Sequence, residues 1–293
     1  MRYVPLVICV GIVATVCTAS IPSFAQSIPA AIFTDPPADP AHPAKMTPLQ
    51  IPTHGVLING LAYQPSGAGP HPTLVICHGL PGVEKNLDLA QAVRRAGWNV
   101  VTFNYRGSWG SPGEFRFAQS LEDADAVLAY LRDPANAQRL GIDTARIVIA
   151  GHSMGGWVVA YAAAHDHGLL GAIMISAADM GRIGEAPREA LLARVADDTV
   201  GLSGATAQSM ADELHAQAKG FGFSNYAAGL AQTPLLALTV DDGDAPDTDA
   251  LVHAIEAKGG HKVTEMHVAT DHSWSDHRIA LESTIITWLA ALP

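Results

Sequence analysis

The sequence predicts an α/β protein in which a mostly parallel central sheet carries helices on both faces. Two observations lead to this fold class. Short apolar runs recur along the chain, as is typical of parallel strands that are buried on both faces. Helical-looking segments separate these runs, which favours a layered α/β architecture. The predicted strands occupy residues 55–63, 73–77, 98–103, 146–150, 171–176, 234–240 and 262–268.

The N-terminus resembles a secretory signal peptide. Arg2 precedes an apolar run at residues 4–16, and small residues at Ser23 and Ala25 favour cleavage near Ala25. The apolar run is short for a transmembrane span, so we expect no stable membrane insertion. An uncleaved anchor and lipidation of Cys17 are the alternatives. The sequence therefore predicts an exported protein, periplasmic or secreted.

With this interpretation of the N-terminus, we predict that the chain consists of three segments. A signal peptide occupies residues 1–25, and a Pro-rich, extended and mobile leader occupies residues 26–53. Residues 54–293 form one α/β domain, and residues 177–232 interrupt its strand and helix alternation. These residues contain amphipathic and Gly-rich pieces, so we predict an inserted helical lid over a site.

The composition excludes several classes of partner. The chain of 293 residues has 17 Lys and Arg against 28 Asp and Glu, a formal net charge of −11. An acidic protein without a basic cluster is a poor candidate for binding nucleic acid or anionic membranes. Loss of Cys9 and Cys17 with the signal leaves only Cys77, so the mature monomer has no internal disulfide.

Helices are predicted between the strands by apolar periodicity. One spans residues 84–96 and ends at Gly97, and another spans residues 120–132 with Ser120 placed to cap it. A final helix runs to about residue 292. These helices cover the sheet and leave the strand ends free to carry functional side chains.

The strand at residues 146–150 leads directly into a glycine-bounded serine. Residues 151–156 read Gly-His-Ser-Met-Gly-Gly, and a helical pattern follows them. A serine between flanking glycines on a sharp strand-to-helix turn projects its hydroxyl from the sheet edge. Ser153 is therefore the candidate nucleophile, although the bare pentapeptide also occurs in ordinary turns.

A serine nucleophile needs a base and a carboxylate that orients the base. His272 follows the last predicted strand and is the preferred base, with His277 as its rival. Asp242 is the preferred acid, with Asp241 and Asp244 as alternatives. The aspartates depart from the spacing of a calcium loop, so we expect no metal.

Backbone amides near Ser153 can stabilise a developing oxyanion. Residues 78–82 read His-Gly-Leu-Pro-Gly after a buried strand, which places the Leu80 N–H as one donor and the Met154 N–H as the other. The loop at residues 104–113 contains aromatic side chains that either line a substrate cleft or pack as an ordinary connection.

With Ser153, Asp242 and His272 in this order, the chain resembles the α/β-hydrolase superfamily over about residues 55–292. The Asn-Tyr-Arg-Gly sequence at residues 104–107 is also similar to the dipeptidyl-peptidase and acylaminoacyl-peptidase catalytic domains. Those relatives generally carry a β-propeller, for which this chain has no matching segment.

The resemblance implies a cofactor-free serine hydrolase with a small-molecule ester or a short peptide as substrate. We expect carboxylic ester hydrolysis through an acyl-enzyme. A small peptidase or amidase that uses the same residues is the first alternative, and a non-catalytic binding protein on the same fold is the second.

Overall fold

The computed structural model describes residues 28–293, so the predicted signal peptide at 1–25 lies outside the described residues. The described strands form one sheet in the order β1-β2-β4-β3-β5-β6-β7-β8. They are β1 (Lys45–Thr53), β2 (Val56–Gln64), β3 (His71–Cys77), β4 (Asn99–Phe103), β5 (Ile142–His152), β6 (Gly171–Ile175), β7 (Leu235–Val240) and β8 (Val263–Val268).

Helices separate the strands and cover both faces of the sheet. They are α1 (Leu87–Arg95), α2 (Phe117–Arg132), α3 (Pro134–Leu140), α4 (Met154–His165), α5 (Met180–Gly184), α6 (Arg188–Arg194), α7 (Ala207–Phe221), α8 (Ala227–Leu230), α9 (Ala245–Ala257) and α10 (Arg278–Ala291). One apolar core contains residues of α2, α4 and α9, and the other contains residues of α1 and α10. In the part of the chain that the structure describes, no helix has the length and apolar character to cross a membrane.

The sheet is mostly parallel, as predicted. Among the described strands, only the β1–β2 and β2–β4 pairs are antiparallel, and all pairs from β4–β3 to β7–β8 are parallel. The carboxyl ends of parallel strands lie at the same edge, where ligands bind in folds of this kind. The loops after β3, β5, β7 and β8 therefore meet at one edge of the sheet.

The leader differs from the prediction at both ends. Lys45–Thr53 is not a mobile tail but the edge strand β1, whose alternate residues Leu49 and Ile51 are buried. Its prolines Pro48 and Pro52 are tolerated because an edge strand has one unpaired side. Near the other end, the Arg95 guanidinium donates hydrogen bonds to the Ala31 and Ile32 carbonyls, at 2.5 and 3.0 Å.

The start of α2 also differs from the prediction. The helix begins at Phe117, so Ser120 lies inside it and does not cap it. The carboxylate of Glu213, on α7, accepts hydrogen bonds from the Phe117 and Ala118 N–H groups at 3.1 and 2.9 Å. A side chain that is distant in sequence therefore satisfies the free amides of this helix.

The segment between β6 and β7 is helical and consists mainly of α5 to α8. Residues 201–203 in this segment pair with the loop after β4. The Trp109 N–H donates to the Gly201 carbonyl at 2.8 Å, and the Phe115 N–H donates to the Ser203 carbonyl at 2.9 Å. The inserted segment is thus attached to the loop that borders the carboxyl edge of the sheet.

Candidate active site

Ser153 lies in a strained turn between β5 and α4. Its φ and ψ angles are 57° and −124°, a conformation that residues other than glycine seldom adopt. The Ser153 N–H donates to the Ile175 carbonyl at 3.0 Å, and its carbonyl accepts from Gly156 at 2.9 Å. These hydrogen bonds hold the turn, and the residue stays partly exposed. A strained non-glycine residue at a sheet edge is a frequent feature of functional sites.

The flanking glycines are required by close backbone contacts. A Cβ on Gly151 would lie 2.1 Å from the Gly155 carbonyl oxygen, and a Cβ on Gly155 would lie 2.1 Å from the Cys77 carbonyl oxygen. Each distance is far shorter than a van der Waals contact, and both neighbours are backbone atoms that cannot rotate away. The strand, the turn and the helix therefore pack with no space for a side chain at these positions.

The substitution Gly155→Ala is expected to destabilise the protein by about 3 kcal/mol, because overpacking of a rigid site forces the backbone to shift. The free energy of unfolding in urea measures the effect. Gly220→Ala in α7 is the matched control, because its nearest atom is the flexible Gln217 side chain at 3.7 Å. We expect it to be neutral or stabilising by up to about 1 kcal/mol. Equal stabilities of the two variants would contradict the packing argument.

His272 and Asp242 are brought together from the loops after β8 and β7. The His272 Nδ1 lies 2.7 Å from the Asp242 Oδ2, and the other Asp242 oxygen accepts from the Asp244 N–H at 2.9 Å. The Asp242 side chain is 6% exposed and that of His272 is 37% exposed. Because an ionised carboxylate only accepts hydrogen bonds, the Nδ1 carries the proton, and in the neutral imidazole the lone pair then lies on Nε2.

The rival residues have other partners. Asp241 accepts from the Nε2 of His267 at 3.0 Å, and His277 contacts Asp276 through its Nδ1 at 2.8 Å. Ligand atoms of Asp242, Asp244 and His272 lie within 4.8 Å of one another. A cation bound there would compete with the proton that the Nδ1 shares with Asp242. The hydrogen bond between Asp242 and His272, together with the other partners of Asp241 and His277, identifies Asp242 as the carboxylate partner of His272.

Ser153 adjoins this pair through its neighbour in the chain. The ring of His152 lies against that of His272, with centroids 4.7 Å apart. Among the described residues, the Ser153 hydroxyl and the His272 Nε2 have no hydrogen-bond partner, and they do not bond to each other. Hydrogen bonds of this kind are often long in the absence of substrate and tighten when it binds.

The loop at residues 78–82 lies beside Ser153. A Cβ on Gly79 would lie 3.0 Å from the Ser153 Cβ, so a side chain at this position would force the two loops apart by a few tenths of an ångström. Within residues 28–293, neither the Leu80 N–H nor the Met154 N–H donates to another group of the protein. Both predicted oxyanion donors are therefore available to a ligand next to Ser153.

Residues of the loop after β4 form hydrogen bonds with the loop at residues 78–82. Trp109 donates through its Nε1 to the Pro81 carbonyl at 2.7 Å, and the Tyr105 hydroxyl donates to the His78 carbonyl at 3.1 Å. The Ser108 hydroxyl lies 3.3 Å from the His78 Nε2. The sequence left the role of these side chains open. The sequence feature that could have indicated these contacts is a polar loop with aromatic residues directly after a buried strand.

Arg106, in the Asn-Tyr-Arg-Gly sequence, anchors the loop after β4 to α2 through Asp123. Its Nε donates to the Asp123 Oδ1 at 2.6 Å, and its backbone N–H donates to the Asp123 Oδ2 at 2.8 Å. The Thr53 hydroxyl donates to the same carboxylate at 2.9 Å. The buried pair thus connects the loop after β4 to α2 and β1, and Asp123 engages the Arg106 guanidinium.

Two buried histidines make stability depend on pH. Burial lowers the pKa of His78 and His152 from 6.5 to about 4. Between these values the unfolded chain binds protons that the folded protein does not, so stability falls as the pH falls from about 6.5 to about 4. Each histidine contributes up to about 3 kcal/mol to this loss, given the shift of its pKa.

Urea unfolding at about pH 7.5 and about pH 4.5 tests this expectation. His78→Gln removes one of the two titrating groups, so its loss of stability on acidification should be smaller than that of the wild type by up to about 3 kcal/mol. The comparison cancels the opposite contribution of buried carboxyls such as Asp123, whose pKa is raised by burial. An identical loss in both proteins would refute the assignment to His78.

The fold and the strained serine turn define an α/β protein with a nucleophile elbow. Residues 72–248 match the family model described as "alpha/beta hydrolase fold". The chain therefore belongs to the α/β hydrolase fold family, which confirms the resemblance and the fold class expected from the sequence.

Individual relatives show the extent of the likeness. An uncharacterised 31.7 kDa protein of Escherichia coli is 37% identical over 107 residues, which cover 35% of this chain and 36% of that protein. The match thus spans about a third of that relative. A carboxyl esterase from Bacillus coagulans has a TM-score of 0.64 and 15% identity over 85% of this chain and 98% of its own. An acylaminoacyl peptidase from Pyrococcus horikoshii has a TM-score of 0.64 and 17% identity over 84% of this chain and 41% of its own.

Proposed function

We propose that the protein is a serine hydrolase that cleaves carboxylic esters through an acyl-enzyme. The observation that carries the proposal is the 2.7 Å hydrogen bond between His272 and Asp242, with the His272 ring 4.7 Å from that of His152, the residue that precedes the strained turn of Ser153. A serine alcohol is a weak nucleophile near neutral pH, and a histidine oriented by a carboxylate is the usual means of activating it.

The reaction proceeds in two steps. The His272 Nε2 accepts the proton of Ser153 as its oxygen attacks the ester carbonyl, and the same proton then passes to the leaving alcohol. Water attacks the resulting acyl-enzyme with His272 again as the base, which releases the acid and restores the Ser153 hydroxyl. Asp242 fixes the proton on Nδ1 and stabilises the imidazolium that forms in each step.

The Leu80 and Met154 amides supply the oxyanion donors. Their N–H groups have no protein acceptor within the described residues, and Gly79 holds the first donor's loop against Ser153. The N-terminus of α4 adds a favourable potential for the negative oxygen. Loss of one such donor typically costs ~3 kcal/mol of transition-state stabilisation.

An ester is favoured over a peptide by the extent of the structural matches. The chain covers 98% of the Bacillus coagulans esterase but only 41% of the Pyrococcus horikoshii peptidase. Kinetics with an ester and the amide of the same acid separate the two. A value of kcat/KM that favours the ester supports the proposal, whereas equal or greater activity on the amide supports the peptidase alternative.

Labelling by a fluorophosphonate tests the serine assignment independently of the substrate. The full-length precursor is expressed in a bacterial host, and the exported protein is labelled and analysed by intact mass and peptide mapping. We expect one adduct on Ser153 and the loss of residues 1–25, since we also propose that the protein is exported and cleaved near Ala25. A folded protein without an adduct would favour the non-catalytic binding alternative. A mass that retains residues 1–25 would contradict the cleavage.

A further inference from the structure

His152 lies where three parts of the proposed site meet. It is the last residue of β5, directly before Ser153, and it is only 5% exposed. Its Nε2 lies 2.8 Å from the carbonyl oxygen of His272. On another side, a Cβ on Gly79 would lie 3.6 Å from its Nδ1. One imidazole therefore contacts the loop of the base, lies close to the loop at residues 78–82 and directly precedes the proposed nucleophile in the chain.

The contact with His272 fixes the tautomer of His152. A carbonyl oxygen can only accept a hydrogen bond, so the His152 Nε2 carries a proton and donates it. Burial, followed by the neighbouring charge of His272, lowers the pKa of His152 to about 4. The ring is consequently a neutral donor at neutral pH, and its Nδ1 carries no proton.

Neutrality matters because charged groups surround this ring. The His272 ring lies 4.7 Å away at an interplanar angle of 53°. Arg278 also lowers the pKa of His152, whereas Asp242 raises it. A protonated His152 would repel the imidazolium that forms on His272 during the reaction, and the neutral ring does not.

Few contacts of its own side chain fix the orientation of His272. Its side chain is 37% exposed, and among the described residues that side chain forms only the hydrogen bond to Asp242. The loop that carries it is anchored further along at Trp274, whose Nε1 donates to the Ser176 hydroxyl at 3.0 Å. The His152 contact is the anchor of the loop at the reacting residue itself.

We propose that His152 is a positioning residue that holds the His272 carbonyl and thereby sets the direction in which His272 presents its Nε2 to Ser153. The proposal rests on the proposed function, because it requires His272 to be the base. Small errors in the placement of reacting groups reduce the rate strongly, so the contact acts on kcat more than on KM.

Two polar substitutions test the role of the Nε2 donor. In His152→Gln the side-chain amide nitrogen reaches about the position of the imidazole Nε2, whereas in His152→Asn it reaches only that of Nδ1. We expect the Asn variant to lose about tenfold to about 100-fold in kcat with little change in KM. The Gln variant should retain kcat within about threefold, and fluorophosphonate labelling rates should follow the same order.

His165→Asn is the matched control, because this histidine is exposed at the far end of α4 and pairs with Asp125. Its kcat should remain that of the wild type. Equal kcat values for His152→Asn and wild type, or equal losses in the Asn and Gln variants, would overturn the positioning role.

A spectroscopic measurement separates this proposal from the proposed function. The proton on the His272 Nδ1 that is shared with Asp242 gives a downfield proton NMR resonance, which requires no turnover. We expect the resonance in the wild type and in His152→Gln, and its broadening or loss in His152→Asn. A wild-type protein that fails to react with fluorophosphonate would refute the proposed function, while an unchanged resonance in His152→Asn would refute the positioning role.

Discussion

Replacing Ser153 with alanine is expected to reduce kcat on a carboxylic ester by on the order of 10⁶-fold, since removal of the nucleophile abolishes the acyl-enzyme path. Residual hydrolysis then depends on the oxyanion donors and on substrate binding alone. Alanine keeps the Cβ of serine and therefore adds no backbone strain at the φ of 57°, so the fold should persist with a similar free energy of unfolding. Steady-state kinetics and urea unfolding on the same preparation measure both effects.

The control for this experiment is Ser283→Ala, which removes a hydroxyl from a buried position of α10. Its kcat should equal that of the wild type. Retention of ester hydrolysis by Ser153→Ala at more than about a hundredth of the wild-type rate would show that another group carries the reaction, because a missing triad nucleophile leaves far less activity. The urea unfolding measurement would distinguish a loss of activity caused by the missing hydroxyl from one caused by unfolding of the variant.

The central strands were predictable because their signal is local. Buried parallel strands appear as continuous apolar runs, and those at residues 73–77, 146–150 and 171–176 each coincide with a strand of the sheet. β1 was missed because Pro48 and Pro52 indicate a linker and the alternation of Leu49 and Ile51 is short. Its membership of the sheet depends on pairing with β2, which a single segment does not reveal.

Contacts between distant segments account for the other differences. Ser120 is an appropriate capping residue by type, yet α2 begins three residues earlier because Glu213 provides the cap from α7. Nothing near Phe117 in the sequence indicates that carboxylate. Local patterns thus predict which helices form, and tertiary contacts decide where this one starts.

In the candidate site, too, some features follow from local sequence patterns and others depend on tertiary contacts. Ser153, Asp242 and His272 each follow a strand, so their convergence at one edge could be predicted from the parallel sheet. The sequence favoured Asp242 as the acid but left Asp241 and Asp244 open, because adjacent residues after a strand face in different directions and only the folded structure shows which one reaches His272. The contact of His152 with the His272 carbonyl joins residues 120 positions apart, and no local pattern indicates it.

Replacing Asp242 with asparagine is expected to lower kcat by about 10⁴-fold, because the amide favours the wrong tautomer of the partner histidine. The NH₂ group of the substituted side chain, when it faces Nδ1, would place the His272 proton on Nε2, which then cannot accept the proton of Ser153. The protein should remain folded, since the side chain keeps its size in a site that is 6% exposed. Steady-state kinetics on the same ester measure the loss.

Two neighbouring aspartates provide the controls for this second prediction. Asp241→Asn removes the partner of His267 and should leave kcat within about threefold, since its carboxylate lies outside the His272 pair. Asp244→Asn removes a partly buried charge near the pair but keeps the N–H that donates to Asp242, so we expect a loss below about tenfold. A ranking in which Asp241→Asn is the most damaged variant would reassign the acid. Equal losses in all three variants would indicate that the summed negative charge, rather than one oriented carboxylate, supports His272.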